Sequence, residues 1–260
     1  MPVQFQEIEG ARIALWASDG GYVEGRKTLF FIHGSAGDHT SWKEQYGALD
    51  GSFNIVAVDL PGNGQSEGTG EQEVAAYARW VKKAVEALGL HRPVLIGHSL
   101  GAAIVLESAL RYGDMLSGIV TVGGGAAMPV NPMVLDGMRE DPSMLVNSIP
   151  AFAVSKKNRE RLKGFLVEGL ERVDTDVAYG NFLACNRFEI SGEVGQISIP
   201  TLLICGEDDK MMPPKFSEYL EEKIPNARLV LIPETGHFVM MEDAQVFNEA
   251  LVGFVDMLEG

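Results

Sequence analysis

The apolar residues of this chain follow two rhythms. Residues 3–9 and 12–17 alternate apolar and polar positions on either side of Gly10, the period-two pattern of an antiparallel hairpin. After that, apolar residues run together. Segments 28–32, 54–58, 93–96, 118–122, 201–205 and 228–232 are short, nearly unbroken apolar stretches, which suit strands covered on both faces. Helical spacing fills the gaps. Val74, Ala78, Val81, Val85 and Leu88 step by four and three residues, and Gly89 stands at the end as a stop. Phe247, Ala250, Leu251, Phe254, Val255 and Leu258 form a second such stripe. Strands alternating with helices predict an α/β fold, a mostly parallel central sheet with helices on both faces. One region breaks the rhythm. Residues 125–196 hold several helix-like pieces, four prolines and no convincing strand. They are too long for a plain loop and read as a helical lid inserted after the sixth strand. Residues 1–260 are expected to form a single domain that contains this insertion.

Charge and composition narrow the function classes. The net charge of −15 opposes a phosphate backbone, which demands clustered Lys and Arg, so nucleic acid is not an expected partner. The densest basic cluster, Lys156, Lys157, Arg159 and Arg161, reads as a solvated helix face. The first residues carry neither a basic start nor an apolar run, and no stretch approaches the ~20 apolar residues of a membrane span. The two cysteines, Cys185 and Cys205, lie far apart and read as buried free thiols in a reducing compartment. A cytoplasmic protein acting on a small molecule is the expectation. No histidine or carboxylate pair has metal-ligand spacing with a third partner, and no metal or organic cofactor is expected.

The chemistry concentrates at Gly97-His98-Ser99-Leu100-Gly101. G-x-S-x-G alone can be any tight turn. Here an apolar run precedes it and the helix-like stretch 102–106 follows, which is the context a nucleophile elbow requires. A helix N-terminus behind Ser99 favours negative charge, and the Leu100 backbone N–H can donate to a developing oxyanion. A serine hydroxyl needs a base to take its proton. His237 follows the last strand on a loop able to bring its ring to the sheet's C-terminal edge. The imidazole in turn needs a carboxylate, and either Asp208 or Asp209, just past the strand at 201–205, can supply it.

Four further motifs stand in order along the chain: His33-Gly34-Ser35-Ala36-Gly37, then 59–66 (DLPGNGQS), then 206–213 (GEDDKMMP), and Gly236-His237-Phe238 with Glu242. Together with the elbow they resemble the α/β-hydrolase superfamily over essentially the whole chain, nearest to small lidded serine esterases and the haloperoxidase-like group. The resemblance implies an α/β-hydrolase fold, Ser99 as nucleophile, His237 as base and Asp209 rather than Asp208 as acid. It also implies an oxyanion site of the Ser35 and Leu100 N–H groups. Asn63 departs from the histidine that relatives commonly carry, at a position that is structural in the family. The reaction expected is hydrolysis of small to medium carboxylic esters through an acyl-enzyme. A lactonase, a C–C bond hydrolase, a perhydrolase or a slow-turnover ligand receptor would use the same motifs.

Other residues carry plainer expectations. His33 is expected to make a structural hydrogen bond, and His98 to pack away from the site. His39 and His91 receive no role. Trp42 either lines the pocket mouth or anchors the next helix. Gly123-Gly124-Gly125 is read as a hinge for the insertion. Several methionines, among them Met128, Met144, Met211 and Met212, suit an adaptable apolar pocket or ordinary core filling.

Overall fold

The computed structural model describes residues 3–18, 21–140 and 142–258, and of the side chains from 142 to 148 only that of Val146. Met144 therefore lies outside the described side chains.

The predicted hairpin is β1 (Gln4–Ile8) and β2 (Ala11–Ala17), antiparallel with Gln4 opposite Leu15. Then β3 (Thr28–Ile32), α1 (Lys43–Leu49), β4 (Asn54–Val58), α2 (Val74–Ala87), β5 (Val94–His98), α3 (Leu100–Tyr112) and β6 (Gly118–Val122) alternate. Four helices follow: α4 (Pro132–Glu140), α5 (Pro142–Ala153), α6 (Arg159–Arg172) and α7 (Thr175–Arg187). The chain closes with β7 (Thr201–Gly206), α8 (Lys215–Lys223), β8 (Ala227–Ile232), α9 (Val239–Glu242) and α10 (Ala244–Met257). The eight strands form one sheet in the order β1-β2-β4-β3-β5-β6-β7-β8, parallel from β4 to β8 along that order. The four-helix segment leaves after the sixth strand, as the sequence pattern predicts.

The continuous apolar runs have the cause given above. Along β3, Phe30 and Ile32 face one apolar layer with α2, α3 and α8, while Leu29 and Phe31 face another with α1, α9 and α10. Period-two alternation is present, but both faces are buried, so the four positions from Leu29 to Ile32 are all apolar. Trp42 belongs to the second layer. It is fully buried and packs on Phe31 and Phe247, which makes it an anchor rather than a pocket residue. The prolines punctuate the insertion: Pro132 and Pro142 each open a helix, where the missing N–H costs nothing.

Candidate active site

Ser99 stands between β5 and α3 with φ 53° and ψ −112°. A non-glycine residue rarely adopts positive φ, and packing around the turn holds it there. A Cβ on Gly97 would fall 2.0 Å from the Gly101 carbonyl oxygen, and one on Gly101 would fall 2.4 Å from that of Ile32. Only glycine fits at both places. The Ser99 N–H donates to the Val122 carbonyl of the neighbouring strand at 2.9 Å. Local strain at a functional turn persists when its surroundings over-determine it.

His237 lies on the loop after β8, and Asp209 on the loop after β7. The His237 Nδ1–H donates to Asp209 Oδ2 at 2.8 Å, and both side chains are almost wholly buried. Asp209 Oδ1 accepts the N–H groups of Met211 and Met212, at 2.9 and 2.8 Å. Asp208 is exposed and engages the loop only through its backbone, so the structure brings Asp209 to the imidazole and leaves its neighbour outside. Donation from Nδ1 leaves Nε2 as the lone-pair nitrogen. That atom is buried with no hydrogen-bond partner among the described residues. Nor is a hydrogen bond from Ser99 Oγ present there, though both residues line the same two cavities. Such contacts are often long before substrate binds.

The histidine loop is tightly held. Gly236 N–H donates to Glu242 Oε1 at 2.9 Å, and His237 N–H donates to the Ala153 carbonyl at 2.7 Å. Glu242 Oε2 also accepts the Ser155 N–H at 2.9 Å. The basic cluster at the α5–α6 junction is therefore not merely a solvated face. Arg161 donates to the carbonyls of Met241 and Glu242, and Lys157 pairs with Glu234.

The two N–H groups expected to hold an oxyanion belong to Leu100, next to Ser99 in the chain, and to Ser35, which lines both cavities with it. Leu100 is the first residue of α3, so its N–H has no intrahelical acceptor. Ser35 lines both cavities, and its N–H meets no acceptor among the described residues. Its hydroxyl lies 3.6 Å from Cys185 Sγ. Burial pushes the Cys185 thiol up to about 12.

Three readings are corrected or extended. His98 does not point away from the site. Its ring packs on that of His237, with centroids 4.7 Å apart, and its Nε2–H donates to the His237 carbonyl at 3.0 Å. Burial, with His237 second, holds His98 well below the usual imidazole range. The three glycines after β6, read as a hinge, stand in close contact with their neighbours. Gly123 has φ +59°, and a Cβ there would lie 2.9 Å from His237 Nδ1, while one on Gly124 would meet Ala102 at 2.5 Å. His39, given no role, pairs with buried Asp59 at 2.7 Å. Asp59 accepts from the N–H groups of His39 and Gln65, locking the 59–66 loop against the turn after β3. Asp38, His39 and Asp59 cluster closely, and Asp38 Oδ1 in turn accepts the Thr40 N–H at 2.8 Å. His33 meets its structural expectation: Nδ1–H donates to the Gly34 carbonyl and Nε2 accepts from Leu60 N–H. Burial keeps it below its ordinary pKa.

Two cavities converge on Ser99 and His237. One, of about 80 Å³, runs along the turn after β3 toward Phe165 and Leu166 of α6. The other, of about 310 Å³, is walled by Met128, Val130, Val134, Phe152 and Met212. Ile149, Phe182 and Met211 touch both and stand between them.

A family model described as alpha/beta hydrolase fold matches residues 27–244. A 2-hydroxy-6-oxononadienedioate/2-hydroxy-6-oxononatrienedioate hydrolase of Paraburkholderia phymatum is 28% identical over 253 residues, spanning 89% of this chain and 88% of that protein. Among solved structures, a thermophilic esterase superposes with a TM-score of 0.83 at 31% identity, covering 98% of this chain and 97% of that one. An enol-lactonase of Burkholderia xenovorans reaches a TM-score of 0.90 at 20% identity, covering 97% and 100%, a likeness of fold.

Proposed function

This chain belongs to the α/β-hydrolase family, a hydrolase by kinship, and from that footing we propose that it cleaves carboxylic esters of small to medium size through an acyl-serine. Ser99 Oγ attacks the ester carbonyl and passes its proton to His237 Nε2. The Ser35 and Leu100 N–H groups receive the oxyanion of the tetrahedral intermediate. His237 then returns the proton to the departing alcohol, and an acyl group remains on Ser99. Water repeats the sequence with the roles reversed. Asp209 holds Nδ1–H and stabilises the imidazolium. The observation that carries this reading is the 2.8 Å contact from His237 Nδ1 to Asp209 Oδ2. It fixes the tautomer that leaves Nε2 free, on a residue that lines the same cavities as Ser99.

In the same proposal, helices α4 to α7 act as the lid. Residues of α5, α6 and α7 line the cavities with Ser99, so the insertion sets specificity. A cavity of about 310 Å³ sits at the low end of small-molecule sites and favours short to medium acyl groups. The two buried free thiols suit action in the cytoplasm on a small-molecule substrate. Among the described residues no helix is long and apolar enough to cross a membrane.

A series of p-nitrophenyl esters of increasing acyl length tests the reading, with intact mass after phenylmethylsulfonyl fluoride. Turnover peaking at short to medium chains, abolished in Ser99→Ala, is expected. An adduct on any residue but Ser99, or a peak at long chains, contradicts it. C–C bond hydrolysis is the second reading, favoured by the Paraburkholderia relative. Faster turnover of a 2-hydroxy-6-oxo-dienoate than of any ester would select it.

A further inference from the structure

The turn after β3 contains three consecutive N–H groups, and the structure divides them. Gly37 N–H closes the turn on the Gly34 carbonyl at 3.1 Å. Ala36 N–H donates to Asn181 Oδ1 at 3.0 Å. Ser35 N–H remains for the cavity. Asn181 is a residue of α7, fully buried and 145 positions away in sequence. Its Nδ2 donates to the Tyr77 hydroxyl at 2.7 Å, and that hydroxyl also accepts the Glu71 N–H at 2.9 Å. The carboxamide is thus fixed at both ends, with its oxygen aimed at one peptide.

That peptide needs holding. Ala36 has φ 57°, a left-handed conformation that a Cβ disfavours, and its side chain is buried against Met138, Ala178 and Phe182. Four residues beyond Asn181, on the same face of α7, Cys185 Sγ meets Ser35 Oγ at 3.6 Å. One helix of the insertion therefore grips the Ser35–Ala36 dipeptide at two points.

We propose that Asn181 is a positioning residue for the oxyanion site: by taking the Ala36 N–H it holds the strained turn so that the Ser35 N–H points at the reacting carbonyl. The inference rests on the reading of Ser35 as an oxyanion donor. Without the carboxamide, the buried Ala36 N–H has no acceptor, and the turn relaxes toward negative φ and swings the Ser35 N–H away. Ground-state binding in the cavities does not depend on that aim, whereas the tetrahedral intermediate does.

The test compares Asn181→Ala and Asn181→Asp, with kcat for p-nitrophenyl butyrate expressed per site titrated by phenylmethylsulfonyl fluoride. Losing an oxyanion donor outright costs about 10²–10³ in kcat, and misaiming one costs less. Asn181→Ala is expected to lose about 30-fold in kcat with KM within about twofold. Asn181→Asp keeps an acceptor for the Ala36 N–H and lets the Tyr77 hydroxyl turn to donate, so it stays within about threefold of the parent. Affinity for phenylboronic acid, a tetrahedral adduct former, should fall in Asn181→Ala in step with kcat/KM. A residue that merely supports the fold would lower the number of titratable sites and leave kcat per site unchanged; that result overturns the inference, as does equal damage from both substitutions. Boronate affinity also separates the two readings. A parent protein without ester turnover, whose boronate binding still weakens in Asn181→Ala, sinks the esterase reading and keeps this one. A parent that neither hydrolyses esters nor binds the boronate sinks both.

Discussion

Replacing Asp209 with asparagine changes one atom, and the geometry dictates where that atom goes. Oδ1 accepts two backbone N–H groups, from Met211 at 2.9 Å and Met212 at 2.8 Å. An amide nitrogen there would face two donors and lose two hydrogen bonds at a buried site, a penalty of about 1–3 kcal/mol for each group left unsatisfied. The asparagine oxygen therefore keeps that position. Its nitrogen is forced into the place of Oδ2, 2.8 Å from His237 Nδ1. A donor now faces Nδ1, which must become the lone-pair nitrogen, and the ring proton moves to Nε2. The imidazole no longer has a free acceptor for the Ser99 proton. The corresponding change in a serine protease triad lowers kcat by about 10⁴, equivalent to about 5.5 kcal/mol in the barrier. Asp209→Asn is expected to show a loss of that order, measured as kcat for p-nitrophenyl butyrate near pH 7.5. KM should stay near the parent value, because no pocket wall has moved. Asp208→Asn, an exposed control, should be unaffected. Asp209→Asn retaining a tenth of the parent rate, or Asp208→Asn losing as much, would refute the reasoning.

Gly123→Ala should lose at least 100-fold in kcat while remaining folded by circular dichroism. Its Cβ would sit 2.9 Å from His237 Nδ1 and 3.2 Å from Asp209 Oδ2, at a backbone φ of +59°; parent-like kcat would show that the loop yields freely. His39→Ala should lower the thermal midpoint more at pH 5.5 than at pH 8.5. Burial pulls the His39 imidazolium down, but the hydrogen bond and charge of Asp59 outweigh it and raise the pKa above 6.5. Burial likewise pushes Asp59 up, but His39 outweighs it and holds the carboxyl below 3.8. A raised histidine stabilises fully below its unfolded value and fades as pH rises through the folded one. A lowered aspartate stabilises above its unfolded value and fades as pH falls through the folded one. The pair thus contributes most between 3.8 and 6.5, and a midpoint deficit that grows toward alkaline pH would contradict this. Cys185, 3% exposed and pushed up by burial to about 12, should react with Ellman's reagent at pH 8 only after denaturation; prompt labelling of the native protein would refute its enclosure.

The sheet was legible because both signals that define it are local. Continuous apolar runs mark strands buried on two faces, and stripes such as Val74, Ala78, Val81 and Val85 mark the helices that cover them. Ser99 and His237 were legible because their surroundings are motifs a few residues long. Asp209 over Asp208 was not settled by pattern, since adjacent carboxylates on one loop differ only in which way each faces. The two N–H groups of Met211 and Met212 turn the second carboxylate inward. His98 was misread for a related reason. Its role is set by the loop carrying His237, 139 positions away, and no spacing within the elbow reports that contact. Asn181 left no signal at all. It sits in a helix whose apolar periodicity is broken by polar residues on several sides, and a buried asparagine cannot be told from an exposed one without knowing what faces it. His39 could have been suspected, because the aspartate that opens the 59–66 loop needs a partner if it is buried.

The insertion contributes more than walls. Its root, at the junction of α5 and α6, is bonded to the loop that carries His237: Ala153 holds the His237 N–H, and Glu242 ties Gly236 to Ser155. Its last helix, α7, is bonded to the turn after β3 through Asn181 and Cys185. Between these anchor points the same helices supply Ile149, Phe165 and Phe182 to the cavities. A segment that only capped the pocket could vary freely in sequence without touching the chemistry. Here the residues that shape the cavity and those bonded to the His237 loop and to the turn after β3 belong to one run of helices. Changes that open the cavity by shifting α7 as a body must therefore also move Asn181, the Ala36 acceptor, whereas trimming Ile149 or Phe165 in place need not. Under the proposed function, specificity is more freely altered at those side chains than at the helices that carry them.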